Sequence, residues 1–163
     1  MKTLISPLQT LRLAFGDGDT LTPETIAEAD IAAAEARWIV PAIGRDLHEK
    51  LLRGAYPDFC TDYLAIPTAL YTRALVQSRL DVRTDRAGTA VPKSGDAQPA
   101  DEKTRRRLRR QLLSEARTLL TRATDYLAGR TALIPEYRPE ADIASRCSVG
   151  GGIVLTGRRK NDF

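Results

Sequence analysis

His48 is the single histidine of the chain, and it stands between Asp46 and Glu49. An imidazole beside carboxylates can serve as a general base or ligate a metal. A catalytic role would need a cleft that gathers His48, Tyr63 or Tyr71 with carboxylates from elsewhere in the chain. Cys60 and Cys147 lie far apart and belong to no CxxC pattern, so the sequence spells out no zinc site and two free thiols are expected. The motifs GxSxG, HExxH, GxxxxGK[ST] and GxGxxG do not occur. His48 is therefore expected as a surface side chain on a short helix, and the chain as a non-enzyme without catalytic, metal or cofactor site.

The charge pattern carries more information. Lys103, Arg105, Arg106, Arg107, Arg109 and Arg110 place six cations within eight residues. Cations suit the end of a helix, whereas these fall at the start of one, where the helix dipole opposes them. Contact with phosphate or with an acidic surface would offset that cost, and guanidinium groups suit phosphate, but repulsion within the run is small and screened by salt, so a solvated basic face without a partner fits it equally well. Base reading is not expected, because no Asn or Gln set accompanies the arginines. On a larger scale, residues 1–66 contain ten acidic and six basic side chains, and residues 67–163 contain eleven acidic and nineteen basic ones. This division by sign favours head-to-tail self-association or contact with a polyanion.

Gly150, Gly151 and Gly152 suggest a phosphate loop, but such a loop needs a helix directly after it. Ile153, Val154 and Leu155 follow instead, so the segment reads as a hinge and a β-prone tip able to add a strand to a neighbouring subunit.

The elements that position these groups read as helical. An apolar fraction of 42% and a charged fraction of 28% are those of a globular protein, and low aromatic content points to a core of Leu, Ile and Ala. No apolar run approaches the roughly 20 residues that span a bilayer, and the first residues lack the apolar stretch of a secretory signal, so a cytoplasmic site of synthesis is expected. Residues 1–22 read as an arm or a short packed segment. A helix is predicted from Pro23, capped by Thr22 and stopped by Pro41, with Ile43-Gly44 as a corner. A short helix follows from Asp46 to Leu52, ended by Gly54 in a left-handed conformation. A third helical region from Asp58 is expected to break or kink near Ile66 because of Pro67. Residues 84–100 read as a long internal loop or loosely held hairpin, and a long helix runs from Asp101 or Thr104 to Ala128, ended by Gly129. The expected fold is all-α: a compact bundle of four to five helices over residues 23–137, with an extended tail over residues 138–163.

The order of these features resembles the small head-tail connector proteins of tailed bacteriophages and prophages. The resemblance rests on the Ala-rich helix from Ile26 to Ile39, Pro41-Ala42-Ile43-Gly44, Leu47 and Leu51, the Pro67 helix, the loop, the charged last helix and Pro135-Glu136-Tyr137. It covers roughly residues 20–137. It implies a helical virion protein without a cofactor, made in the host bacterial cytoplasm. Such a subunit would assemble with itself as a ring between portal and tail-completion proteins, with DNA passing through the channel and no membrane involved. The basic start of the last helix and the tail Arg158-Arg159-Lys160 depart from that pattern. The alternative expectation is a non-specific nucleic-acid-binding accessory protein that uses the same basic run.

Overall fold

The computed structural model describes residues 2–15, 22–80, 83–85, 88–90, 101–138, 147–150 and 153–156. Gly151 and Gly152, most of the 84–100 segment and the Arg158-Arg159-Lys160 tail lie outside the described residues.

The N-terminal segment is a packed one. Helix α1 (Pro7–Ala14) opens with Pro7 at its first position and a reciprocal cap: the Ser6 hydroxyl accepts the Gln9 amide at 3.2 Å, and the Gln9 side chain accepts the Ser6 amide at 2.8 Å. It buries Thr10, Leu11 and Ala14. Arg73 holds its far end by donating to the Ala14 carbonyl and lying 4.4 Å over the Phe15 ring.

The next helix starts later than Thr22 and Pro23 suggest. Pro23–Thr25 forms one 3₁₀ turn, and α2 (Glu28–Ala34) begins behind Ala27. The reason lies at Asp30, whose carboxylate accepts the otherwise orphaned Ala27 amide at 2.9 Å. Arg79 grips the same carboxylate with two bonds of 3.0 and 2.6 Å, tying the start of α2 to the end of the helix that closes at Leu80.

Pro41 does not stop the first rod, and no break falls near Ile66 in the second. The rod of α2 continues through a π turn (Glu35–Ile39) into α3 (Val40–Ile43), with Pro41 inside it. It ends at Gly44, whose φ of +87° and ψ of 153° suit glycine alone. Similarly, α5 (Pro57–Phe59) runs through a π turn (Cys60–Leu64) into α6 (Ala65–Leu80), which carries Pro67 buried in its first turn. In both rods the residue after the π turn bonds five residues back, Val40 to Glu35 and Ala65 to Cys60. The wider turn lies N-terminal to each proline, where the ring would otherwise strike the carbonyl four residues earlier. A register shift thus takes the place of a break.

Between the rods, α4 (Arg45–Leu52) buries Leu47 and Leu51 and is followed by Gly54 at φ +91°, as the sequence predicts. Helix α7 (Glu102–Ala128) is capped by Asp101 and ends at Gly129. Two short antiparallel hairpins complete the described elements: β1 (Arg83–Asp85) with β2 (Gly88–Ala90), and β3 (Cys147–Gly150) with β4 (Ile153–Thr156).

The bundle is all-α. Helix α6 is its axis, burying Ala65, Pro67, Ala69, Leu70, Tyr71, Ala74 and Val76, and α1, α2 and α7 pack around it. Ile31, Ile39, Ile43, Leu47, Leu64 and Leu127 are fully buried, each worth roughly 1.5–3 kcal/mol of transfer free energy. Trp38 stacks on Tyr71 at 4.7 Å, and Tyr63 meets Tyr126 at 4.3 Å. The expected bundle is therefore present with α1 added to it.

Candidate functional site

The first three turns of α7 are built to hold charge away from the core. No residue from Glu102 to Gln111 is buried, and Leu112 is the first that is. Leu108 and Arg105 are half-buried, on the side that continues the stripe of Leu112, Ala116, Ala123 and Leu127. Lys103, Arg106, Arg107, Arg109 and Arg110 are exposed, and at 3.6 residues per turn they fan over about half the helix circumference.

Two carboxylates make this placement tolerable at a helix start. Asp101 accepts the Thr104 amide at 2.9 Å, and its hydrogen bonds from Thr104, aided by the nearby Arg105 charge, hold its carboxyl below the usual range. Glu102 pairs with Arg106 one turn on. Both put negative charge at the positive end of the helix dipole. An open groove of about 680 Å³ runs along this face, lined by Lys103, Arg106, Arg109 and Arg110 together with Asp101, Glu102 and Leu113. Of the predicted cations, four share the groove, whereas Arg105 turns toward the body and Arg107 is not in its lining.

His48 is not the surface side chain expected. Its side chain is 13% exposed, and Nε2 lies 2.9 Å from Oε2 of Glu35, not against its sequence neighbours Asp46 and Glu49. Glu35 sits on the first π turn, is 2% exposed, and receives the Leu4 amide on Oε1 at 2.7 Å. The Cys60 thiol points at the Leu4 carbonyl at 3.9 Å, and burial, with the Glu35 charge behind it, pushes that thiol up. Both carboxylate oxygens are thus engaged and the sulfur is kept protonated, which makes the group a clamp on the Leu4 peptide. Tyr71 and Tyr63, the other candidates for a catalytic cleft, sit in separate aromatic stacks on Trp38 and on Phe59 with Tyr126.

Among the described residues no group of three or more His, Cys, Asp or Glu side chains is placed to hold a metal ion. No described helix is long and apolar enough to cross a membrane. In the tail, Gly150 pairs with Ile153 and Val149 with Val154 inside one hairpin. The Ile153, Val154 and Leu155 strand predicted to add to a neighbour pairs along one edge with β3 of the same chain.

Sequence reading missed Glu35 and Leu113. The first stands on an Ala-rich stripe 13 residues before its histidine, and the second belongs to the apolar pattern of α7 yet reaches the groove.

A family model matches residues 39–146, about two thirds of the chain, and its description is DUF6712, a family of unknown function. Neither a curated protein nor a solved structure matches the chain.

Proposed function

We propose that this chain, which belongs to the family of unknown function DUF6712, is a structural virion protein of the head-tail connector type. Its subunits assemble as a ring between portal and tail and act through surfaces, with no catalytic step and no cofactor. The observation that carries this reading is the exposed basic face of α7, where Lys103, Arg106, Arg107, Arg109 and Arg110 stand on the first three turns of a 27-residue helix and no residue before Leu112 is fully buried. Surface of this kind is built for contact with something outside the subunit. The order of helices, the Gly44 corner and the charge divided between the two parts of the chain support a subunit that meets copies of itself. The virion is the proposed location, after synthesis in the host bacterial cytoplasm.

The same cations favour a second reading, a free accessory protein that binds nucleic acid without sequence preference. In that case the monomer binds duplex DNA tightly, with an affinity that falls steeply with salt. Solution mass measurement and negative-stain imaging, of the protein alone and mixed with a portal ring, separate the two. Closed rings or ring-on-portal complexes are the expected result. A protein that stays monomeric alone and with portal and tail components overturns the connector reading.

A further inference from the structure

A second stripe faces solvent near the other end of α7. Asp58 on α5, Asp62 on the π turn after it and Ile66 on α6 are exposed, Ile66 to 39%. They recur every four residues, which keeps them on one side of the rod. Among the described residues neither carboxylate has an ion-pair partner. On α7, Arg106, Arg110 and Leu113 follow the matching order of charge, charge and apolar side chain at spacings of four and three.

The two stripes cannot meet within one molecule. Tyr63, next to Asp62, packs against Tyr126 with the rings tilted and lies under Arg122, which fixes the acidic stripe beside the last turns of α7. At about 1.5 Å per residue, Arg110 stands roughly 24 Å before Tyr126 along the same straight element, many times the reach of an ion pair.

We propose that the Arg106, Arg110 and Leu113 stripe of one copy docks on the Asp58, Asp62 and Ile66 stripe of a second copy of this chain. The inference rests on the assembly reading above and gives it an interface. A contact between two different patches is heterologous, so each copy leaves one patch open for the next and the series closes into a ring or runs on. A second copy fits the groove better than a phosphate backbone does. The groove holds the Asp101 and Glu102 carboxylates, which repel phosphate, and Leu113, which Ile66 can cover. Guanidinium forks pair well with carboxylates.

Charge exchange tests this. The variants are Arg106→Glu with Arg110→Glu, and Asp58→Lys with Asp62→Lys, followed by sedimentation velocity at low salt and by circular dichroism for folding. Each double variant should weaken self-association about tenfold or more. An equimolar mixture of the two, and a single chain carrying all four changes, should each recover it, because every contact again joins opposite charges. Wild-type protein that assembles while both double variants assemble equally well overturns this interface and leaves the connector reading standing. Wild-type protein that fails to assemble in any setting removes both. Loss of duplex DNA binding in the arginine variant with unchanged self-association overturns the interface in favour of nucleic acid.

Discussion

Glu35 and His48 meet at 2.9 Å across two helices, and the other oxygen of the same carboxylate holds the Leu4 amide at 2.7 Å. One buried side chain therefore joins the N-terminal segment, the first rod and α4. Its position on a π turn matters, since the shifted register is what the Val40 to Glu35 bond records.

Replacing Glu35 by Ala strands the Leu4 amide and removes the partner of His48, and the expected cost is about 3 kcal/mol. Glu35→Gln keeps an acceptor for one of the two donors and should cost roughly half as much. Urea unfolding followed by circular dichroism reads both. Equal stability of wild type and Glu35→Ala would show that the clamp contributes nothing.

Asp30 and Arg79 give a pH dependence. The Arg79 hydrogen bonds, with a smaller contribution from the Ala27 amide, hold the Asp30 carboxyl below its ordinary value against the opposing effect of burial. A depressed folded value means that the stabilisation is fully present above the ordinary aspartate range and is lost as pH falls through the folded value. Arg79 is 54% exposed, so solvent screening keeps the contribution on the order of 1 kcal/mol. Asp30→Asn should therefore be less stable than wild type at neutral pH, with the gap closing in acid. A gap that stays constant down to pH values below the folded pKa would refute the assignment.

How far the chain could be read depends on how local each cause is. Helix α7 was legible almost to the residue, since the Asp101 cap, the Leu112, Ala116, Ala123 and Leu127 stripe and the Gly129 end are all written within one element. The α1 cap was present as Ser6 and Gln9 but lies before a turn-rich stretch that obscures it. Pro41 and Pro67 misled because a π turn is a property of the packed rod and has no sequence signature of its own. The exposed cations of α7 could be named from sequence, but not which of them would share a groove. Glu35 with His48, and the stripe of Asp58, Asp62 and Ile66, depend on where separate elements are placed, which single-sequence periodicity does not contain.

Gly44 isolates backbone strain from packing. Its φ of +87° lies where side chains are disfavoured, and a Cβ there would meet no atom within 4 Å. Gly44→Ala and Gly44→Ser should thus lose similar amounts, roughly 1–3 kcal/mol, because the cost is conformational and independent of side-chain size. Thermal unfolding of the two variants checks this. A much larger loss for Ser than for Ala would point to a steric clash that the geometry does not contain.

Tyr56 carries the last prediction. It is the one non-glycine residue with positive φ among the described residues, at +52°, and it precedes Pro57, which disfavours right-handed helical backbone at that position. Its hydroxyl donates to Glu136 at 3.0 Å, and Lys50 lies 3.5 Å from the other oxygen of that carboxylate. Chiefly through this hydrogen bond, Glu136 raises the Tyr56 pKa above its ordinary value, because ionising the phenol would break the bond and set two negative charges together. Glu136→Gln removes the second charge, so Tyr56 should then ionise at lower pH than in the wild type. Difference absorbance of tyrosinate during alkaline titration, with Tyr56→Phe to assign the signal, measures the change. A titration unmoved by Glu136→Gln would mean that Pro135-Glu136-Tyr137 does not hold the α4–α5 corner in solution.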